Sequence, residues 1–487
     1  MIGPVTVNTP RYLGPVPHPA IGVRMPDIFL GGIVSAYKMR RTAGGLMMSC
    51  TRESAPQYVI DSKPGKYPAT LGHTGVSIKE YIGKSSEATR KAHVLAEIEA
   101  DHLIIGSYPQ AVQRILGSTS GTEMSDEEVS NSLGFVFDAI DEAVNTGFVN
   151  AFTVDTTSLI DLKADRCSKE ELTAEFNNEV PDGKALLEEY SREFSTSWID
   201  GSLHTVEFSE LDIMRMALQF RRSLEACFKI YCHIRKRMKD NPFGFELTLD
   251  ELPRPTGKEL LYYLREWRKL GAHTDFVAPN IGFRKRADFL GDLRTLKEQL
   301  SFLGAVAHGF GALLSIHSGS GTSPYGGKGK GVYGAIVEAT SGRVKYKISG
   351  VYFELLMDLL AESKAARCSS LFERIFDCVS SFWEDQINRN TPLADATVRK
   401  TFHSYKERRG EKHLKLRDSR SDFFRHYSFI ALNLRDSTGK RYLKDELLSL
   451  YENDIAFQRL VDKEVRKLTL RLIDGVNFTG TLSQFRS

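Results

Sequence analysis

Three short stretches carry residues that could do chemistry. The first is Asp101-His102 in EIEADHLII, a carboxylate that can take a proton beside an imidazole, the commonest metal-binding side chain. On a regular strand these two neighbours point to opposite faces. They reach one site only if the strand ends or bends there; otherwise the pair is a polar strand terminus. The second is FGFELTLDE, in which Glu246, Thr248 and Asp250 share one face by period two, the pattern of a polar interior or rim. The third is Ser315-Ile-His317-Ser-Gly-Ser-Gly321, an apolar strand that delivers a histidine and then opens into a Gly/Ser loop. Such a histidine suits a metal, and the loop amides suit an anion, while a satisfied structural histidine is the plain alternative. The loop Gly326-Gly-Lys-Gly-Lys-Gly331 that follows could cradle a phosphate or carboxylate, or lie open on the surface. It lacks the Walker A spacing.

These residues need a scaffold that brings strand ends together. From about residue 95, short apolar runs alternate with longer helical stretches, the signature of βαβ units and a parallel sheet. The expected strands are Ala96–Ile105, Val149–Ile160, Gly244–Glu251, Asp275–Phe283, Ala312–Ser318 and Val344–Ser349. Several end on a polar residue, which in a closed barrel faces the C-terminal rim where reacting groups sit. Thr256-Gly-Lys-Glu259 reads as a capping box opening a helix with Leu260, Leu264, Trp267 and Leu270 on one face and Gly271 as its stop. Leu293, Leu296, Leu300 and Leu303 form another core stripe, as do Leu211, Met214 and Leu218. The first 90 or so residues are rich in Gly and Pro, with Ala20–Val23 and Ile28–Leu30 as short strands of unassigned order. Beyond about residue 355 the chain reads as helical, and the charged stretch Lys406–Arg425 as a solvated face. The expected organisation is an N-terminal region, 1–94, integrated with a barrel; the main β/α region, 95–355; and a helical C-terminal region, 356–487.

The composition narrows the classes of function. The 487 residues hold 65 Lys and Arg against 62 Asp and Glu, a net charge of +3, which is not that of a general nucleic-acid binder. No run of about 18 apolar residues exists to span a membrane, and the N-terminus lacks a secretory h-region. The six cysteines form no C-x-x-C pair and fit buried small side chains in a cytoplasmic protein. Nothing forbids a homo-oligomer.

Taken together the stretches resemble the tagaturonate epimerase family of sugar-acid epimerases. The matching segments are Ala100–His102, Ala151–Asp155, Phe245–Thr256, Ala287–Leu293 and Leu314–Ser320, in family order, over roughly residues 95–480. The resemblance implies a (β/α)8, TIM-barrel-like scaffold and a divalent cation such as Zn, Ni, Co or Mn. It implies Asp101 as proton acceptor, Glu246 as proton donor, and His102 and His317 as metal ligands. A third ligand is expected from Asp288, with Asp292 next. Ser318, Lys347 and His426 are expected to touch substrate, and Lys328, Lys330, Lys347 and Arg425 are candidates to pair with its carboxylate. The Gly/Lys loop and the Arg425-His426 segment depart from the family pattern, where substrate choice could be set. A neutral or phosphorylated ketose, or aldolase chemistry, are the alternative readings, and a non-catalytic sugar-binding barrel is the rival from another class.

Overall fold

The computed structural model of the chain describes residues 9–106, 124–250, 252, 257–408 and 417–485. Eight parallel strands close into a barrel: β1 (His18–Gly22), β2 (Gly44–Ser49), β3 (Ala96–Ile104), β4 (Ala151–Asp155), β5 (Gly244–Leu249), β6 (Phe276–Pro279), β7 (Leu313–Ile316) and β8 (Val344–Ile348). Each is followed by a helix of the outer ring: α1 (Pro26–Arg40), α2 (Ile78–Ala92), α3 (Asp126–Asn145), α4 (Glu210–Met238), α5 (Gly257–Lys269), α6 (Leu293–Gly309), α7 (Val332–Thr340) and α8 (Val351–Glu362). β1 pairs with both β2 and β8, which closes the ring without a free edge.

The expected barrel is therefore present, and all six strands expected beyond residue 95 lie in it. Its first two strands come from the Gly/Pro-rich beginning of the chain. Ile28–Leu30, read as a strand, instead lies inside α1, where Pro26 opens the helix and Ile28, Phe29, Ile33 and Tyr37 are buried. Leu270, read as part of the α5 stripe, is exposed beyond the helix end, where Gly271 takes a positive φ of 75° as a stop. Thr256, of the expected capping box, lies outside the described residues.

Side chains sort by strand alternation. On β3, Ile98 and Ala100 join the apolar layer under the helices, while Glu97, Glu99 and Asp101 belong to the polar interior. On β5, Phe245, Leu247 and Leu249 do the same opposite Glu246 and Thr248. On β8, Val344, Tyr346 and Ile348 alternate with Lys345 and Lys347. The helical C-terminal region wraps this frame, and its last long helix, Ile455–Gly475, packs on α1, with Val465 against Gly32. Among the described residues no helix is long and apolar enough to cross a membrane.

Candidate active site

The barrel interior is a lattice of charge rather than layers of aliphatic side chains. Lys345 Nζ lies 2.8 Å from Glu99, 3.1 Å from Glu246 and 3.4 Å from Glu97. His18 Nε2 lies 3.1 Å from Glu97. One step nearer the C-terminal rim, Lys347 Nζ donates to Glu99 at 2.6 Å, Asp101 at 2.7 Å and Thr153 at 2.7 Å, and lies 3.0 Å from Glu246. Thr153 in turn donates to Glu99. Burial alone would raise the carboxyls of Asp101 and Glu246. For Asp101, His102 and Lys347 outweigh it; for Glu246, Lys345 and Lys347 do, so both are held well below the usual carboxylate range.

At the rim β3 breaks its alternation. Its register with β4 shifts between Ala100 and Leu103, and His102 takes a left-handed φ of 43°. The carbonyl of His102 accepts from Thr51 Oγ1 at 3.0 Å, which pins the bulge to the loop after β2. Asp101 and His102 therefore both line one cavity of about 820 Å³. His102 Nδ1–H donates to Asp101 at 3.0 Å, which turns its Nε2 away from that carboxylate.

His317, just past β7, meets His102 with ring centroids 5.0 Å apart. Its Nε2 lies 2.6 Å from Glu246 and its Nδ1 lies 3.2 Å from Asp250. Burial lowers the His317 pKa, but the two carboxylates win and lift it to about 9. The site thus holds a proton between an imidazole and a carboxylate, as a place short of positive charge does. His102, Asp250 and His317 offer ligand atoms within 4.8 Å of one another, the one such group of three or more found among the described residues. Asp250 Oδ1 is buried without a hydrogen-bond partner among the described residues. Two imidazoles and a carboxylate with one orphaned oxygen fit a divalent cation of the borderline type. Glu246 on His317 Nε2 is then the outer carboxylate that orients a metal-binding imidazole.

The remaining expected residues divide. Asp288 does not join the group: its Oδ1 accepts from Thr322 N at 2.8 Å, and Asp250 stands in its place. Asp292 caps α6 by accepting from Thr295 N at 2.8 Å. Glu246 is not among the cavity-lining residues, whereas Ser318, Lys347 and His426 are. The expected cations are mostly engaged elsewhere. Lys328 is buried and donates to the carbonyls of Arg284, Ser318 and Ser320, so the Gly/Lys loop is a pin rather than a phosphate cradle. Arg425 is tied to Glu354 at 2.9 Å, and the exposed Lys330 is not among the cavity-lining residues. Arg24, Arg52, Arg284, Lys285 and Arg286 do line it. None of these is among the cations expected from the sequence to pair with the substrate carboxylate. Asp250 carried a usable signal, since it extends the Glu246–Thr248 face by one more step of two.

A profile of the tagaturonate epimerase family matches residues 136–472 of the chain. The fold is similar to that of fructuronate-tagaturonate epimerase UxaE from Cohnella laeviribosi. The native crystal structure is 18% identical, with a TM-score of 0.65 over 96% of this chain and 83% of that one. A complex of the same enzyme with two glycerol molecules gives a TM-score of 0.66 at 18% identity over the same 96% and 83%. A comparison with curated proteins gives no match. With the family profile spanning more than half of its length, the chain belongs to the tagaturonate epimerase family and is a ketohexuronate epimerase, an isomerase.

Proposed function

We propose that the protein inverts C4 of tagaturonate to give fructuronate by a retro-aldol and aldol sequence, with a divalent cation held by His102, Asp250 and His317. The observation that carries this reading is the convergence of those three residues with Asp101 on one cavity. C4 is β to the C2 ketone, so its C–H is not acidified by enolate formation, and simple proton exchange at carbon would be slow. Removing the C4 hydroxyl proton lets the C3–C4 bond break into an enediolate and an aldehyde. The aldehyde turns and re-adds on its other face.

A cation bound there would supply Lewis acidity toward the C2 carbonyl and C3 oxygen. Asp101, on the cavity wall and ionised, takes the hydroxyl proton. Lys347 joins Asp101 to Glu246 through contacts of 2.7 and 3.0 Å, so the two carboxylates act as one acid–base unit. The proton held by Asp101 then returns to the new C4 oxygen, with Glu246 behind Lys347 tuning that carboxylate. Lys328, the residue that would have favoured a phosphorylated substrate, is consumed by three carbonyls.

The test is conversion of tagaturonate by the purified protein loaded in turn with Zn, Ni, Co and Mn. Fructuronate should form, chelation should abolish the rate, and metal should restore it. Asp250→Asn and His317→Ala should lose bound metal by elemental analysis along with activity. Asp101→Asn should keep metal while kcat falls roughly 10²–10⁴-fold. A rate indifferent to chelation would end the metal assignment, and net cleavage products would make the protein an aldolase.

A further inference from the structure

The same cavity contains a second charged cluster, opposite in sign to the metal group. A Cβ placed on Gly350 would lie 3.3 Å from Arg286 Nη2 and 3.4 Å from Arg24 Nη2. Two guanidinium tips, one from the loop after β1 and one from the loop after β6, therefore meet at the residue that opens α8. Each is fixed from behind. Arg24 donates to Glu53 through Nε at 2.8 Å and Nη2 at 2.6 Å, and to Ser349 Oγ at 3.2 Å. Arg286 Nε lies 2.8 Å from Glu354 on α8, whose other oxygen takes Arg425 Nε at 2.9 Å. Arg425 also donates to the carbonyl of Arg286, a residue held at a positive φ of 57°. Such strained conformations persist only where the surroundings enforce them.

The charge does not close. Arg24, Arg286 and Arg425 face two carboxylates, Glu53 and Glu354, in a place where side-chain exposure is 14% or less. A buried surplus of one positive charge is costly unless an anion joins it. The α8 amides at Gly350 and Val351 have no acceptor within the helix, and the helix dipole adds to the same pull. Burial first, then Arg24 and Arg425, push the Arg286 pKa down to about 10, as expected for a cation lacking part of its counter-charge. A neighbouring feature identifies the rest of the ligand. His73 lines the cavity, is 2% exposed and gives its Nδ1–H to Thr70 O at 3.3 Å. Its Nε2 is an acceptor with no partner among the described residues. An anion seat beside an acceptor suits a carboxylate carrying a hydroxyl neighbour. On the ketohexuronate reading that anion is a carboxylate.

We infer that Arg24 and Arg286, meeting over Gly350 at the start of α8, seat the C6 carboxylate of the ketohexuronate and set the preference for a uronate over a neutral ketose. This inference rests on the ketohexuronate reading, and the experiment separates the two. Calorimetry on the metal-loaded protein, which needs no turnover, compares D-galactonate with galactitol. Galactonate should bind at least tenfold tighter; equal binding would overturn the seat. Inorganic phosphate in competition should displace galactonate only weakly, and tighter binding of phosphate would overturn the carboxylate assignment. In steady-state assays, Arg286→Gln and Arg24→Gln should raise KM for tagaturonate by roughly 10²-fold. Over the same range kcat should move less than about threefold and bound metal should stay at the wild-type level. A fall in kcat with KM unchanged, or loss of metal, would show a structural role instead. Should the arginine variants fail to fold, Gly350→Ala removes no charge and only crowds both tips. It should raise KM in the same direction, and an unchanged KM would overturn the seat. Wild-type protein that leaves tagaturonate untouched would defeat the earlier reading, while the galactonate preference would still decide the seat.

Discussion

Lys347 shows how much one side chain can organise. Its ammonium contacts Glu99, Asp101, Glu246 and Thr153, all buried, so it neutralises both carboxylates of the proposed acid–base unit at once. Lys347→Met keeps the length and removes the charge, leaving Glu99 and Glu246 with Lys345 and Asp101 with His102. Unfolding free energy should fall by about 3–5 kcal/mol, the usual result of stripping one partner from a buried ion pair. Asp101 loses a cation that holds it ionised, so the acid limb of the pH–kcat profile should move to higher pH. Urea unfolding and that profile check the two effects separately; an unmoved acid limb would mean that Lys347 does not tune Asp101. The pair Asp101-His102 was legible as chemistry, but its shared site depended on a backbone break that side-chain types do not encode. Thr51, 51 positions away, holds the carbonyl of His102 at the break. Asp250 was legible through period two as the third polar residue on the Glu246–Thr248 face, whereas Asp288, expected as a ligand, accepts from Thr322 N instead.

At the level of elements, two loops must stay in place for the site to exist, and Lys328 ties them. Its three donors reach the carbonyls of Arg284 after β6 and of Ser318 and Ser320 after β7. Lys328→Met leaves three acceptors without their donor, each a desolvation cost of about 1–3 kcal/mol before the loops relax to water. Thermal unfolding should shift down by several degrees, and KM should rise because Ser318 and Arg284 both line the cavity. Metal content should hold, since His317 is fixed from its other side by Glu246 and Asp250. A variant with wild-type KM would show that the tie serves stability alone. The strands around these loops were legible because β3, β5 and β8 alternate polar and apolar residues over five or more positions. β2, GGLMMS, offers no such alternation and was not found. Ile28–Leu30 misled for the opposite reason: a short apolar run fits a buried strand and a buried helix turn alike.

For the whole molecule, a net charge of +3 conceals a separation of charge that composition cannot reveal. Around the metal group, Glu97, Glu99, Asp101, Glu246 and Asp250 face Lys345 and Lys347, while at Gly350 the arginines outnumber their carboxylates. One region is rich in carboxylates and the other in guanidinium groups, which is the polarity that the proposed reading of a cation-assisted sugar-acid enzyme calls for. The same sorting shapes acid stability. His73 lies packed on Phe429, with ring centroids 4.5 Å apart, and burial followed by the Arg24 charge lowers its pKa from 6.5 to about 3. The unfolded chain therefore binds a proton as pH falls below about 6.5, while the folded protein does not. Stability from this group is complete above that value and is lost progressively toward pH 3. The loss between pH 7 and pH 5 is about 2 kcal/mol. Asp101 and Glu246, held low when folded, lose their contribution only below their unfolded values near 4, so they do not confuse this window. His426, lowered to about 4 by burial and then by Arg286, acts in the same direction. His73→Phe keeps the ring stack and removes the titration. Urea unfolding at pH 7 and pH 5 should show the wild-type difference shrinking by about 2 kcal/mol in the variant. A difference that stays the same would mean that His73 is protonated in the folded protein, and with it the cavity would lose its neutral acceptor beside Arg24.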